Sequence, residues 1–118
     1  MNRLTVSLRG GFEKRKGILL FYFTGQLDAY SEKQFKVYVN DVLQTNELPV
    51  IIDLSKIDFI DSSGLGAMVQ TAKLCNKSKR SFMVVGNARV KQTIKLVRLE
   101  EFLNFVPDLP TALSKLAA

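Results

Sequence analysis

Histidine and tryptophan are absent from this sequence, and its 118 residues include a single cysteine, Cys75. With one thiol the chain cannot form an intramolecular disulfide, and without histidine it cannot build a Cys/His zinc cluster. Catalytic triads that use a histidine base are excluded for the same reason. A single cysteine is typical of a reducing compartment, so we expect a cytoplasmic protein.

Long apolar runs are missing as well. No uninterrupted apolar stretch approaches the roughly 18 residues of a membrane span. The amino terminus, MNRLTVSLRG, lacks the apolar segment of a secretory signal. Hydrophobic residues make up 47% of the chain and charged residues 24%, a globular balance that excludes wholesale disorder. A chain of this length suits one domain, and we expect residues 1–118 to form it.

Basic residues outnumber acidic ones by 17 to 11, which gives a net charge of +6. Most of them fall in three clusters, at residues 14–16, 77–80 and 89–98. No aromatic residues alternate with them, as a platform that stacks nucleic-acid bases would require. Two interpretations stay open: solvated turns and helix faces, or a functional basic surface for an acidic partner or nucleic acid.

Short apolar segments predict the strands. Alternating Leu4, Val6 and Leu8 indicate a first strand, and the glycine-rich, charged residues 10–17 indicate a loop or hairpin. Apolar runs predict four further strands, at residues 18–23, 50–54, 82–85 and 103–106. Residues 55–60 are expected to be a connecting segment.

Four stretches with helical spacing of apolar residues predict helices. Ser31, with Gln34 three residues later, has the spacing of a capped helix start. Asn87 is the predicted cap of the third helix, and Asp108 with Pro110 opens the last. The second helix runs to about residue 76, with a predicted inner face of Leu65, Met68, Val69, Ala72 and Cys75. The third uses Val90, Ile94 and Val97.

Strands that alternate with helices are typical of parallel neighbours in one sheet. We therefore predict an α/β fold with a mixed, mostly parallel sheet, an N-terminal hairpin and about four helices. No linker, internal repeat or low-complexity segment interrupts the chain.

Residues 61–66, DSSGLG, join a strand to a helix start and carry the most information. The structural interpretation is that the serines cap the helix and the glycines let it pack on the sheet. A phosphate-binding loop lacks its lysine, and a nucleophile elbow lacks both its pattern and a histidine base. A serine that accepts a phosphoryl group needs only an exposed hydroxyl beside a surface of small residues.

With the strand end at residues 52–54, this segment resembles the signature of STAS domains, and most of all the bacterial anti-sigma factor antagonists. The segments FTGQLD at 23–28, LSKIDF at 54–59 and VVG at 84–86 are also similar to that family. The resemblance extends over roughly residues 4–116. The family usually has Glu at the position of Gln26.

The resemblance implies a STAS-like fold and a regulatory switch, not an enzyme. It implies that the unphosphorylated protein binds an anti-sigma factor that is also a serine kinase of GHKL type, and thereby releases the sigma factor. It implies phosphorylation at Ser62 and resetting by a PP2C-type phosphatase. The implied partner-binding residues are Asp28, Asp61, Ser62, Ser63, Gly64, Leu65 and Gly66. No cofactor, metal, nucleic acid or membrane span is expected, and the protein is expected to be a monomer or weak dimer.

Other classes of protein compete with this hypothesis. A response-regulator receiver would need an acidic pair after the first strand and a lysine after the last, and both are missing, so we interpret Asp53 as a turn or capping residue. Asp53, Asp58 and Asp61 could together hold a hard cation. A nucleic-acid module would use the basic surface alone. The strongest alternative is a STAS subunit of a transporter or lipid-transfer ATPase complex.

Overall fold

Five strands and four helices make up residues 8–116, the part of the chain that the computed structural model describes. The strands are β1 (Leu8–Arg15), β2 (Ile18–Leu27), β3 (Val50–Ile60), β4 (Phe82–Val85) and β5 (Phe105–Val106). The helices are α1 (Glu32–Leu43), α2 (Ser62–Lys77), α3 (Ala88–Leu96) and α4 (Leu109–Leu116). Leu4 and Val6 of the predicted first strand lie outside the described residues.

All five strands belong to one sheet, in the order β1-β2-β3-β4-β5. The first pair is antiparallel, and β2 to β5 run parallel to one another. This confirms the predicted mixed, mostly parallel sheet with a hairpin at its start. Because β2, β3 and β4 run parallel, their carboxyl ends all point to the same edge of the sheet.

Both faces of the sheet are covered, but unequally. On one face, α1, α2 and α3 pack their buried residues, among them Phe35, Met68 and Ile94, into the larger core. On the other face, α4 covers a smaller core with Ala112 against Ile51. Strands buried on both faces read as continuous apolar runs, which is why VII at residues 50–52 predicts a strand so clearly.

Of the two interpretations of residues 10–17, the hairpin is confirmed and the loop is wrong, because residues 10–15 belong to β1. The turn is only Lys16 and Gly17, both with positive φ, at 53° and 78°. Such two-residue turns suit the twist of antiparallel strands. Gly10 has a packing role, since a Cβ there would lie 2.2 Å from the carbonyl oxygen of Tyr22. The glycines therefore allow close strand pairing instead of marking a loop.

The expectation that residues 55–60 connect two elements is wrong, because β3 continues through them. The pairing register with β2 shifts twice between residues 22 and 26 of that strand, and each time β3 contains one residue more. These bulges space the buried residues of β3 by three, at Leu54, Ile57 and Ile60. A strand is predicted from apolar residues at every second position, and the bulges interrupt that pattern, so the sequence does not indicate a strand here.

The predicted inner face of α2 is confirmed for Leu65, Met68, Ala72 and Cys75, which are buried. Burial raises the pKa of the Cys75 thiol to about 11, and the opposing charge effect of Arg80 is smaller. In α3, by contrast, Val97 is 51% exposed and lies just past the helix end. The helix ends at Leu96, so Val97 turns away from the core that Val90 and Ile94 occupy.

Arg80 is not part of a basic surface, although it falls in one of the basic clusters of the sequence. Its guanidinium donates to the backbone oxygens of Leu43, Asn46 and Leu48 at 2.8, 2.9 and 3.0 Å. A further hydrogen bond reaches Oδ1 of Asn46 at 2.8 Å. Arg80 thus satisfies carbonyls at and beyond the C-terminal end of α1, which helices leave unpaired.

Candidate functional site

The carboxyl ends of β2 and β3 bring the candidate site together. Leu27 and Ile60 are register partners at these ends, and the backbone N–H of Asp61 donates to the carbonyl of Leu27 at 3.3 Å. The segment after β2, which contains Asp28, therefore lies beside the first turn of α2. In α/β sheets this edge is where functional groups usually gather.

Asp61 is the N-cap of α2. Its backbone is extended, with φ −113° and ψ −170°, and its Oδ1 accepts a hydrogen bond from the N–H of Gly64 at 3.0 Å. This bond satisfies one of the unpaired N–H groups of the first turn. The carboxylate also places negative charge at the positive end of the helix dipole. The aspartate, and not the serines, therefore caps the helix, which corrects the structural interpretation of this segment.

Ser62 is the first residue of α2, and its side chain is exposed. Ser63 follows it and is half-buried. Within residues 8–116, neither hydroxyl makes a hydrogen bond to another protein group. Because Asp61 already caps the helix, the Ser62 hydroxyl is not needed to cap the first turn of α2.

The two glycines of the segment play different parts. A Cβ on Gly64 would lie 2.2 Å from the carbonyl oxygen of Leu27, so Gly64 lets α2 press against the end of β2. A Cβ on Gly66 would have no neighbour within 4 Å. Gly64 and Leu65 are buried beneath the site, whereas Gly66 lies on the exposed side of the helix with Ser62.

Asp28 is 7% exposed and organises the neighbouring turn. Its Oδ1 accepts hydrogen bonds from the N–H groups of Tyr30 and Ser31 at 2.9 and 3.1 Å. Ser31 precedes α1 as predicted, but its side chain makes no cap to the helix. Its Oγ accepts from the N–H of Asp28 and donates to the carbonyl of Gln26, so the predicted capping box with Gln34 is wrong.

Two exposed aromatic side chains on this edge escaped the sequence analysis. Tyr30, on the turn held by Asp28, is 92% exposed, and Phe59, paired in register with Gln26, is 46% exposed. The available signal was a large aromatic residue within a polar turn, two positions after Asp28. Nearby, Arg89 donates from Nη1 to the carbonyl of Asp58 at 3.0 Å, which joins the start of α3 to the same edge.

Asp53 does not end a strand, and the interpretation of it as a turn or capping residue is wrong. It lies inside β3, paired with Tyr22 and Val85, and its Oδ1 accepts from the N–H of Ser55 at 2.9 Å. In the described part of the chain, no group of three or more His, Cys, Asp or Glu side chains is placed to hold a metal. A shallow depression of about 320 Å³ lies between β3 and the start of α3, where Asp58 and Arg89 line it.

One known family matches most of this chain. Residues 12–112 match the STAS domain family, which covers most of the chain, so this protein belongs to the STAS family. Among helices within residues 8–116, none is long and apolar enough to cross a bilayer.

Several similar proteins are named as anti-sigma factor antagonists. The anti-sigma F factor antagonist of Paenibacillus polymyxa is 26% identical over 73 residues, which is 61% of this chain and 62% of that protein. The chain thus matches less than two thirds of that relative. A crystal structure of an anti-sigma factor antagonist from Mycobacterium paratuberculosis has a TM-score of 0.87 at 24% identity, covering 95% of this chain and 96% of that one.

The same fold occurs in the anti-sigma factor antagonist SpoIIAA, solved in its unphosphorylated form, with a TM-score of 0.75 and 14% identity. That match covers 91% of this chain and 95% of SpoIIAA. The Bacillus protein has also been solved in its phosphorylated form, with a TM-score of 0.69, 13% identity and coverage of 91% and 98%. At these identities the structures establish the fold.

Proposed function

We propose that this protein is a cytoplasmic anti-sigma factor antagonist that is switched by phosphorylation of Ser62. The observation that carries the proposal is an exposed serine hydroxyl at the first position of α2, which the helix cap leaves unused. In its unphosphorylated form the protein binds an anti-sigma factor that is also a serine kinase of GHKL type, and the sigma factor is released. A PP2C-type phosphatase restores the binding form.

The switch works through the surface and not through the fold. A phosphoryl group on Ser62 adds about −1.5 to −2 charges at neutral pH. Negative charge at a helix N-terminus is favourable, so α2 stays folded. The partner, however, would have to bury that charge and its hydration shell against its own surface, which is costly without a matching cation.

The exposure of the side chains around Ser62 indicates which residues would contact the partner. Ser62 and Ser63 offer small side chains and Gly66 has none, so a partner can approach closely, and Asp61 adds a carboxylate at their edge. Gly64 and Leu65 support them from below, and Asp28 holds the adjacent turn. We propose Tyr30 and Phe59 as the apolar anchors, since exposed aromatic side chains dominate binding energy at protein interfaces.

The test begins with affinity purification of the tagged protein and identification of its partner. The partner is then incubated with ATP and three forms of this protein: wild type, Ser62→Ala and Ser63→Ala. We expect modification of wild type and Ser63→Ala, mapped to Ser62, and none of Ser62→Ala. Equal modification of Ser62→Ala would show that the acceptor is another residue, and a partner that is a transporter ATPase would contradict the proposal as a whole.

Binding affinity gives the second half of the test. We expect Ser62→Asp to weaken the complex by at least ~10-fold, about 1.4 kcal/mol, while Ser62→Ala keeps it intact. Tyr30→Ala is expected to weaken it by a similar amount, with Tyr22→Ala, on the opposite face of β2 from the main core, as the matched control. Equal affinities for wild type and Ser62→Asp in calorimetry would refute the charge switch.

A further inference from the structure

The outer face of α3 carries basic side chains and no acidic ones. Its inner residues, Val90 and Ile94, are buried in the main core, while Lys91 and Lys95, four residues apart, point to solvent. Arg89 at the start and Arg98 just beyond the end are also exposed. A short helix thus presents basic side chains along its whole outer surface.

These charges are not neutralised by their neighbours. The helix contains no acidic residue, and among residues 8–116 the ion pairs join Arg15 to Glu13 and Lys36 to Glu32, away from α3. The acidic groups closest in sequence and packing are Glu100 and Glu101, on the turn towards β5, and Asp58, whose backbone carbonyl accepts from Arg89. The outer side of the helix itself carries positive charge alone.

An apolar side chain stands among the basic ones. Leu96 is 78% exposed, and it follows Gln92 by four residues, which places it on the outward-facing side beside Lys95. Val97 and Phe102, also exposed, lie on the same segment after the helix. Apolar and basic side chains are therefore exposed side by side at the end of α3.

We propose that the outer face of α3 is a docking surface for an anionic lipid bilayer. Lysine and arginine side chains on a helix lying parallel to a membrane contact acidic headgroups, while an apolar side chain between them enters the interface. A bilayer offers both kinds of contact at one surface, because its acidic headgroups lie directly above the apolar acyl region. Nucleic acid would meet no aromatic side chain on residues 88–98 and would desolvate Leu96 without a partner.

The predicted interaction is peripheral and weak, since α3 contains nine residues and one fully projecting apolar side chain. It uses a helix face that the Ser62 switch does not require. The membrane proposal and the proposed function can therefore fail separately, and the vesicle test needs no sigma-factor partner.

Sedimentation with lipid vesicles tests whether α3 binds an anionic bilayer. Purified full-length protein is mixed with vesicles of phosphatidylcholine alone or phosphatidylcholine with phosphatidylglycerol, and the bound fraction is measured at low and high salt. We expect binding only to the phosphatidylglycerol vesicles and its loss at high salt. The same change in net charge is made at two places, as Lys91→Glu with Lys95→Glu on α3 and as Lys14→Glu with Lys16→Glu on the hairpin.

The α3 double variant is expected to lose at least ~10-fold in affinity, and the hairpin variant less than ~3-fold. Leu96→Ser, which keeps all charges, is expected to lose about 3-fold or more. Circular dichroism checks that each variant is folded. Equal losses in both double variants would mean that net charge alone drives binding, and that outcome overturns the proposal. Three other results would also overturn the proposal. They are unchanged binding of Leu96→Ser, no binding to anionic vesicles, and binding to an RNA oligonucleotide that depends on α3 in the same way and does not depend on lipid.

Discussion

Helices α2 and α3 begin in the same way but differ in what they expose. Each follows a strand at the same edge of the sheet, and each has an extended N-cap residue, Asp61 or Asn87. The cap side chain accepts a hydrogen bond from the N–H three residues later, at 3.0 Å for Asp61 and 2.8 Å for Asn87. As helix starts, the two are nearly interchangeable.

The differences lie beyond the cap bond. The amide of Asn87 also donates to the carbonyls of Ser55 and Ile57, at 3.1 and 2.8 Å, so it joins α3 to the bulged part of β3. Asp61 has no donor to use in this way. At the first helical position α3 has Ala88, whereas α2 has Ser62. The capped start of α2 thus differs from that of α3 by one additional hydroxyl, and this hydroxyl makes it a candidate switch.

The largest effect is expected from the two glycines of α2. Gly64→Ala introduces a Cβ against the Leu27 carbonyl and is expected to lower the free energy of unfolding by at least ~2 kcal/mol, because backbone must move. Gly66→Ala enters open space in a helix and is expected to raise it by ~0.5–1 kcal/mol. Urea unfolding of both variants measures the difference, and equal effects would contradict the packing role of Gly64.

A smaller change in the free energy of unfolding is expected when the amide cap is replaced by a carboxylate and the carboxylate cap by an amide. Asn87→Asp keeps the cap acceptor but loses both donors to β3, and we expect a loss of ~1–3 kcal/mol in unfolding free energy. Asp61→Asn also keeps the acceptor, and we expect a change within ~0.5 kcal/mol. If urea unfolding gives the two variants the same stability, the bonds from Asn87 to β3 contribute nothing.

Adding negative charge at each first helical position is expected to change stability little. Ser62→Asp and Ala88→Asp are both expected to stay within about 1 kcal/mol of wild type in thermal unfolding, since charge at a helix N-terminus is favourable by ~0.3–1 kcal/mol. Only Ser62→Asp is expected to weaken the partner complex. A large drop in melting temperature for Ser62→Asp would mean that the switch unfolds α2.

The smallest effect on stability is expected in α4, which, like α2 and α3, starts with an acidic or amide cap residue. Hydrogen bonding from Thr111, through its side chain and then its backbone N–H, holds the pKa of Asp108 below its usual range. A lowered folded-state pKa means that the carboxylate stabilises the fold above its unfolded pKa. That contribution is lost as the pH falls through the folded value. Melting temperatures of wild type and Asp108→Asn are therefore expected to converge in acid, and parallel pH curves would contradict this.

The sequence predicted the order of elements, the parallel sheet and the caps at Asn87 and Asp108, because those signals come from neighbouring residues. It failed for β3 beyond residue 54, where two bulges alter the spacing of buried side chains. It left a loop or a hairpin open for Gly10, whose role is to allow close approach to Tyr22. In both cases the deciding contact is with another strand.

The candidate site shows the same division. The segment DSSGLG by itself predicted a capped helix start with a candidate phosphoacceptor serine, since helix position is a local property. The tertiary structure decided that Asp61 is the cap, that Gly64 is pressed against Leu27 while Gly66 is open, and that Tyr30 and Phe59 stand exposed on the same edge. These facts depend on where the end of β2 lies relative to α2. That position is set by strand pairing and core packing between residues more than 30 positions apart in the chain, such as Leu27 and Ile60, and no local pattern encodes it.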